Sequence, residues 1–578
     1  MPLSVATLPV SGTEPYRYEE LGSFTGGLNL RADQFNLGDN ESPDLLNVDV
    51  DPRGGVTRRA GVDVLNATAL NGHVQGLHGH HETPAGGGSD QILAAALSSG
   101  GSTTELWYST GTNFTQIQSS AGNITLAGTT PPAFVTFNDA TYITNAALFD
   151  TSYSAVKWTG ANNATRMTPD IDASDGHFPN ARFAATWGER VWVAYTLESG
   201  THYGNRIRFS KINDAENWTA ADYIDIDIGE HGDRITALVA DGDRLLIFKQ
   251  QAIYALYGFD SDTFQVTNIT RTAGCRADSP VVSTNYGVFF WYAQDGLYLL
   301  SRDSLNYIFT RLQPAIGLAA LTLTSAPSLM WHEERLWVSV DYQSGDGLAG
   351  SEQTNRRNVF VWDPTLGEQG AWTRYDINAR VLFGYKPPTG THLGLGATSD
   401  WSGTAAFTRV AKFEQDTDTD DYTGTGTSEI YSHYQTRWMS GNRPTFPKRW
   451  GKTRTVLLAD NTVNINMVIY RDYNLASGST TYTNAITGRA STSVWEDTIT
   501  DTDSTWWVDD TSLPPVAATG NAYWASQGIA SIYEFFRWPT AGTAKAISLR
   551  FSVAPVEGAR GKWGMTSVVG MYRTRRLR

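Results

Sequence analysis

Cysteine, charge and long apolar runs are all scarce in this 578-residue chain. Cys275 is the single cysteine, which excludes a disulfide within the chain and favours a small packed residue over a nucleophile. Charged residues make up only 18% of the sequence, and the formal net charge is −15, which disfavours tight sequence-independent binding of nucleic acid by the body of the protein. The first 20 residues have neither a basic start nor an unbroken apolar run, so we expect no signal peptide, no membrane-spanning segment and synthesis in the cytoplasm.

Aromatic residues and glycine are abundant in the chain, whereas charged residues are few. Aromatic content is 12%, with 19 Trp and 26 Tyr, and glycine numbers 55. Thr, Val, Tyr and Trp alternate with polar residues between Gly, Asn and Asp, a pattern of short strands joined by tight turns. The composition therefore predicts an all-β protein.

A two-strand unit recurs through residues 73–413. In each copy an apolar strand leads to a polar turn and then to a second strand rich in Trp, Tyr, Phe and Val. The copies follow one another at steps of about 45 to 55 residues, the range of four-stranded propeller blades. We therefore expect a β-propeller of roughly six or seven blades. The turns of five copies lie at Asp139, Gly188, Gly242, Gly287 and Glu333.

Residues 1–72 precede the repeats and are predicted to form an extended N-terminal arm. Ser42-Pro43-Asp44 has the chemistry of a helix start, with a capping hydroxyl, a proline and an acidic residue at the positive end of the dipole. Asn47 to Arg59 reads as a hairpin whose turn contains Gly54 and Gly55. The residues expected to anchor this arm at an interface are Gly26, Gly27, Leu45, Leu46, Asn47, Gly54, Gly55, Arg58 and Arg59.

The repeats end at an acidic, glycine-containing stretch, 414–427, which is typical of a solvated linker. Alternating strands then resume in 428–578, where we expect a small C-terminal β-sandwich. Its large insertion, at about 474–543, carries scattered tryptophans, including Trp538, and is expected to be exposed. Residues expected to contact partners are Trp506 and Trp507 in the insertion and Arg575, Arg576 and Arg578 in the basic tail.

Motifs for catalysis or metal binding are incomplete throughout the chain. His332-Glu333-Glu334-Arg335-Leu336 starts like a zinc-protease helix but lacks the second histidine and lies at a predicted strand turn. His73, His78, His80 and His81 cluster without a cysteine or a firm carboxylate. The run 416–420 lacks the glycine and the glutamate of a calcium loop. We therefore expect no catalytic residue, metal or cofactor.

Asp225 and Asp227 are the strongest exception to that expectation. They are two residues apart on a predicted strand and so share one face, as a carboxylate pair for glycoside hydrolysis would. A solvated strand face explains the same spacing.

The chain resembles the β-propeller nozzle and DNA-stabilising components of the tail tube of short-tailed bacteriophages. The resemblance implies a structural part of the virion, made in the host cytoplasm and assembled as a hexameric ring with adaptor, fibre or tip proteins. Genomic DNA would be retained by this ring and ejected through its lumen without sequence-specific binding. The matching stretches are Gly26–Asn29 with Glu41, Leu46–Asp49, Gly54–Gly55 and Arg59–Gly61; Ile235–Tyr257 with Ala273–Cys275, Gly287–Trp291 and Asp295–Tyr298; and Tyr572–Arg578.

Two other functions remain open from the sequence. A receptor-binding tail protein would use aromatic platforms, such as the tryptophans of the insertion, to recognise host surface glycans. A propeller glycosidase or depolymerase would need acidic residues that converge at one mouth of the propeller.

Overall fold

The computed structural model divides the chain into two compact units. Unit 1 comprises residues 1–59, 365–373 and 429–578, and unit 2 comprises 60–364 and 374–428. Each is described by itself below. The structure describes residues 17–33, 36–82, 90–109, 113–120, 122–160, 164–227, 233–276, 279–292, 295–316, 326–341, 357–367, 369–387, 392–399, 407–415, 417, 419–422, 427–459, 462–475, 480–487, 534–553 and 562–574.

Unit 2 is a β-propeller, as the repeats predict. Within the described residues it has seven antiparallel blades, and the innermost strands of successive blades contact one another in a closed ring. From inner to outer strand, the blades are: blade 1, Val74–His81, Asp90–Leu97, Thr103–Ser109 and Phe114–Gln116; blade 2, Ala133–Phe137, Ala140–Thr144, Val156–Trp158 and Thr165–Arg166; blade 3, Asn180–Trp187, Arg190–Glu198, Thr201–Phe209 and Tyr223–Asp225; blade 4, Ile235–Asp241, Arg244–Lys249, Ile253–Tyr257 and Gln265–Thr270; blade 5, Val282–Thr284, Gly287–Tyr292, Gly296–Ser301 and Ser304–Tyr307; blade 6, Ser328–His332, Arg335–Asp341, Arg357–Asp363 and Ala371–Tyr375; blade 7, Ala379–Tyr385, Leu393–Thr398, Arg409–Gln415 and Gly61–Val64.

Shorter elements complete the unit. The chain returns to unit 2 within the last strand of blade 6, between Thr373 and Arg374. The short elements are Thr125–Ala127, which pairs with blade 1; the hairpins Gln118–Ser119 with Gly122–Asn123 and Thr419–Asp421 with Thr427–Glu429; the 3-10 turns Thr151–Tyr153 and Thr310–Leu312; and the helix Gln313–Ile316. That four-residue helix is the longest among the described residues, and none of the described helices is long and apolar enough to cross a membrane.

The core of unit 2 lies between neighbouring blades. The middle strands are buried on both faces, so the six residues from Arg244 to Lys249 are all buried. Cys275 is fully buried between blades 4 and 5, in contact with a cluster that includes Phe248 and Phe290. Burial of each large apolar side chain stabilises the fold by about 1.5–3 kcal/mol. Cys275 is therefore a packed core residue, as its apolar context predicts.

Blade 7 is closed by a strand from the other end of the chain. Gly61–Val64 pairs antiparallel with Arg409–Gln415, and Val62 packs in a core cluster with Trp337 and Phe413. A Cβ atom on Gly61 would come within 2.2 Å of the Thr417 hydroxyl oxygen, so this approach requires glycine. The closing strand joins residues more than 300 positions apart in the sequence.

The acidic stretch 414–427 differs from the expected solvated linker. Glu414 lies in the third strand of blade 7, and Asp420 is 5% exposed. The Asp420 carboxylate accepts hydrogen bonds from the backbone amide of Val62, at 3.1 Å, and from the Tyr422 hydroxyl. Asp420 is buried because it satisfies an amide of the closing strand, a contact that local composition cannot reveal.

Unit 1 contains two larger sheets. Its β-sandwich arrangement stays a prediction, although the rings of Trp538 and Phe551, one from each sheet, lie 6.0 Å apart. In order across the sheets, the first contains Glu534–Ala544, Lys448–Ala459, Trp563–Thr574, Val56–Arg58 and Val48–Val50, with Arg17–Leu21 also paired to Trp563–Thr574; the second contains Asp44–Leu46, Ser432–Gln435, Ile547–Val553, Thr462–Arg471 and Thr480–Thr487. Gly27–Leu28 pairs in parallel with Glu41–Ser42.

Two predictions for the N-terminal segment are wrong in the described residues. Asp44–Leu46 is a strand paired with Ser432–Gln435, not a helical turn. The Ser42 hydroxyl, expected to cap a helix, donates instead to the Gln435 carbonyl at 2.7 Å, because long-range strand pairing overrides a weak local helix signal. The described part of the segment includes several short strands that pair in sheets, and its assignment as an extended arm stays a prediction. The predicted hairpin is present, with Val48–Val50 paired to Val56–Arg58.

Trp538 also differs from its prediction. It is fully buried, and its indole N–H donates to the Thr455 hydroxyl at 2.8 Å, so it is a core residue and not part of an exposed insertion. Most of the predicted insertion lies outside the described residues.

Candidate functional site

A cavity of about 870 Å³ lies along the axis of unit 2, lined by the innermost strands of the blades and the segments that lead into them. Small-molecule sites commonly have volumes of about 300–1,000 Å³. Most of the lining is apolar, including Leu77, Phe134, Leu238, Trp331 and Phe383. The cavity therefore has the size and the lining of a small-molecule site.

One end of this cavity is basic. Arg182 and Arg380 lie at the starts of the inner strands of blades 3 and 7, and Arg276 precedes that of blade 5. Three of the described lining residues are arginine, and none of the described lining residues is Asp or Glu. We call Arg182, Arg276 and Arg380 the arginine cluster. It concentrates positive charge in a chain of formal net charge −15, so this end of the cavity favours an anionic ligand.

Aromatic rings and a neutral histidine flank the arginine cluster. The Arg182 guanidinium lies 5.8 Å from the centre of the Tyr195 ring, and Arg234 lies 5.7 Å from the same ring. Such stacking orients a guanidinium while it keeps its charge. Burial lowers the pKa of His73, and the charge of Arg380 lowers it further. His73 is therefore neutral near pH 7, and the positive charge at this end comes from arginine.

The inner strands carry an aromatic group nearer their carboxyl ends. Trp331 lines the cavity, and its ring stacks on Phe289 at 5.9 Å and contacts Tyr286 at 5.7 Å. Tyr286 is 37% exposed, so the group meets solvent. Exposed flat rings of this kind can hold the apolar face of a sugar or another planar ligand.

Asp225 and Asp227 do not form the carboxylate pair that their spacing allows. Asp225 ends the outermost strand of blade 3 and forms a two-pronged ion pair with Arg206, with N–O distances of 2.8 and 3.0 Å. Asp227 lies beyond the strand, has φ of 48°, and accepts a hydrogen bond from the Tyr254 hydroxyl. Neither lines the axial cavity. Asp225 thus stabilises blade 3, and Asp227 links the end of that blade to Tyr254 of blade 4.

The clustered histidines are held separately. His78 contacts the Thr136 hydroxyl, His80 contacts Thr141, and His81 contacts Asp90. Burial, together with the nearby His80, lowers the pKa of His78 to about 4. His78 and His80 share one face of the strand and each is held by a threonine hydroxyl, whereas His81 lies on the opposite face, so the three do not converge on a common ligand.

The predicted interface residues of the N-terminal segment are all buried. Gly27 has φ of +64°, and a Cβ there would lie 2.5 Å from the Trp372 carbonyl oxygen, which explains the need for glycine. Asn47 has φ of 53° and donates to the Tyr431 carbonyl, and Arg59 donates to the Asn47 side-chain oxygen at 2.9 Å. Their role at an interface between subunits stays a prediction. The remaining residues predicted to contact partners lie outside the described residues: Trp506, Trp507, Arg575, Arg576 and Arg578.

The arginine cluster has only a weak signal in the sequence. Arg182 and Arg380 are separated by about 200 residues, and each stands alone in its own repeat. Aligning the repeats by their turns places both arginines near the start of an inner strand, and this shared position is the one clue that the sequence contains.

No protein-family model matches the chain, and no curated protein matches it. Among solved structures, BBS1N in complex with ARL6DN is 10% identical, with 62% of this chain and 97% of that chain covered and a TM-score of 0.35. The GH93 α-L-arabinofuranosidase of Fusarium graminearum, in complex with arabinobiose, is 11% identical, with coverage of 62% and 97% and a TM-score of 0.31. Penicillium chrysogenum α-L-arabinanase, complexed with arabinobiose, is 11% identical, with coverage of 65% and 99% and a TM-score of 0.31. Such low values leave function open, and the propeller assignment follows from the closed order of the blades.

Proposed function

We propose that the chain is a structural protein of a phage tail, a subunit of a homo-oligomeric ring that forms part of the DNA conduit. The axial cavity, whose described lining has arginines but no carboxylate, supports this proposal over a glycosidase site in that cavity. Glycoside hydrolysis needs two carboxyl groups about 5–9.5 Å apart. The phage assignment itself rests on the sequence resemblance of 26–61 and of the propeller strands.

The size of the cavity favours a conduit formed between subunits. A volume of about 870 Å³ suits a small ligand, whereas duplex DNA has a major groove alone about 12 Å wide. The genome would therefore pass through the lumen of the assembled ring, and the propeller would form part of the wall.

Immunogold electron microscopy of phage particles with an antibody against this chain tests the proposal. Gold at the neck or the tip of the tail is the expected result and also gives the position along the tail. Mass photometry of the purified chain then reports ring order, with six copies expected. Protein that is free in the lysate, with no label on any particle, would refute the structural role.

The Tyr286–Trp331 group supports a second candidate, a tail protein that binds host glycans. Its test is binding of the purified chain to host cells and to a glycan array, without sugar release. The double variant Y286A/W331A should lose at least tenfold in affinity, while Phe259→Ala, which removes a 68% exposed ring elsewhere in unit 2, should not. Equal binding by both variants would exclude this group as the receptor site.

A further inference from the structure

Blades 6 and 7 bring together an imidazole and two carboxylates that are distant in sequence. His332 ends the inner strand of blade 6, Glu333 follows in the turn, and Glu414 lies in the third strand of blade 7. One ligand atom from each of these residues lies within 4.8 Å of the other two. The near-match to a zinc-protease motif lies at a strand turn, as predicted, and the fold brings Glu414 to its histidine and glutamate.

Two polar atoms of this group are buried without a partner. Among the described residues, neither Nδ1 of His332 nor Oε2 of Glu414 has a hydrogen-bond partner. His332 is 1% exposed. An unsatisfied buried polar atom costs about 1–3 kcal/mol, and an ion bound between the His332 imidazole and Glu414 would give Oε2 of Glu414 a partner.

The distances suit ligands of one metal ion. Nε2 of His332 lies 3.2 Å from Oε2 of Glu414, yet the two atoms are not hydrogen-bonded. Two ligands at about 2.0–2.2 Å from a tetrahedral ion are separated by roughly 3.2–3.5 Å.

The surroundings of these ligands are also suitable. Arg335 contacts Oε1 of Glu414, which orients the carboxylate and leaves Oε2 toward His332. A Cβ atom at Gly394 would lie 2.7 Å from the His332 ring, so glycine makes room for the imidazole. The His392 ring lies 5.4 Å from that of His332 and packs beside it.

We propose that His332, Glu333 and Glu414 bind a divalent transition-metal ion. Mixed imidazole and carboxylate ligands favour zinc and exclude a dedicated magnesium or calcium site, which would use oxygen ligands. The bound ion links the turn of blade 6 to the blade that contains the closing strand, and so stabilises the closed propeller.

Isothermal titration calorimetry of the full chain, treated with chelator and then titrated with zinc chloride, tests this site. We expect one zinc ion per chain, a higher melting temperature with zinc, and no stoichiometric binding of magnesium or calcium. Glu414→Gln and Glu333→Gln should each weaken zinc binding at least tenfold. The matched control is His81→Ala, which removes a histidine from a simple pair with Asp90 and should leave the affinity unchanged.

Glu333→Gln keeps the test decisive if Glu414→Gln does not fold, because the Glu333 side chain is 54% exposed in a turn. Circular dichroism establishes folding of each variant before titration. Zinc affinity that is equal in wild type, E333Q and E414Q, or the absence of stoichiometric zinc in the wild type, would overturn the proposal.

Discussion

Unit 1 and unit 2 are both built from antiparallel strands, but they connect those strands differently. In unit 2 the hairpins follow one another along the chain, and ion pairs such as Arg206–Glu198 join residues eight positions apart. In unit 1 the described N-terminal strands pair with strands near the C-terminus, and Arg437 binds Glu19 across 418 positions. Similar contacts thus join residues that are close in the sequence in unit 2 and residues that are far apart in the sequence in unit 1.

The difference shows where each unit is vulnerable. A propeller blade loses little when one surface contact is removed, because its hairpins are formed by neighbouring residues. In unit 2 the closing strand Gly61–Val64 pairs with a strand that is far away in the sequence. In unit 1 strands of the N-terminal segment also pair with strands that are far away in the sequence. The largest effects should therefore follow from substitutions at these long-range pairings.

Val62→Asp should have the largest effect, because it breaks the one long-range pairing of unit 2. The new carboxylate would be buried beside Asp420 in a core cluster, where the side chain is 1% exposed. We expect a loss of about 4 kcal/mol or more in the free energy of unfolding. Urea denaturation measures it, and Asp63→Asn, an exposed change on the same strand, should shift stability by less than about 0.5 kcal/mol. A stable V62D chain would mean that the ring does not depend on its closing strand.

Gly27→Ala tests a long-range pairing in unit 1. The alanine would need a left-handed backbone at +64° and would place its Cβ 2.5 Å from the Trp372 carbonyl oxygen. Together these effects should cost about 2–5 kcal/mol. Gly242→Ala in unit 2 is the matched control, since Gly242 has φ of +61° but open space around it, and should cost about 1–2 kcal/mol. If both variants lost the same free energy of unfolding, the close approach of Gly27 to Trp372 would contribute nothing to stability.

Glu198→Gln tests a local contact of unit 2, and it should depend on pH. Burial alone would raise the pKa of Glu198, but hydrogen bonds from Arg208 and Thr196 outweigh it and hold the pKa below the ordinary 4.5. Because the folded pKa is lower than the unfolded one, the stabilisation is present above pH 4.5 and is lost as pH falls through the folded pKa.

The expected loss for Glu198→Gln at pH 7 is about 1–2 kcal/mol, and the difference from wild type should shrink in acid. Thermal unfolding between pH 7 and 3 measures it, with Glu189→Gln in an exposed turn as the control. Glu19→Gln removes the corresponding long-range ion pair from unit 1 and should lower the melting transition of that unit instead. A constant difference between E198Q and wild type at all pH values would contradict the assigned ion pairs.

Arg380→Glu should have the smallest effect on stability, below about 0.5 kcal/mol, because the side chain lines a cavity rather than a packed core. It should nevertheless reduce the affinity of the chain for inorganic pyrophosphate at least tenfold, since it reverses one charge of the arginine cluster. Calorimetry at low salt measures the pyrophosphate affinity of the wild type and of the Arg380→Glu variant. Lys386→Glu makes the same charge change on blade 7 outside the cavity lining, and an equal loss there would indicate only a general charge effect.

These two kinds of connection also explain what the sequence could predict. The turns at Asp139, Gly188, Gly242, Gly287 and Glu333 each join the first two strands of a blade, as predicted, because hairpin turns have a local signature. Asn138 and Asp139, and again Glu333 and Glu334, have the positive φ values of two-residue hairpin turns. The propeller was therefore accessible from repeats alone.

What the sequence could not predict depends on contacts between distant residues. Asp44–Leu46 has a helix-like start but forms a strand, since its partner begins at Ser432. Glu414 looked like part of a linker, although it lies against His332. In each case the local sequence pattern indicates strands and turns. The partner strand or partner residue is set by the tertiary fold, which the local pattern does not indicate.

The closing strand also sets a delay during protein synthesis. Gly61–Val64 leaves the ribosome about 350 residues before its partner, Arg409–Gln415, is complete. At translation rates of about 5–20 residues per second, this interval lasts roughly 20–70 s. The nascent chain carries open sheet edges throughout, and such edges pair readily with other chains. Chaperones that cover these edges during the interval should therefore raise the yield of soluble protein.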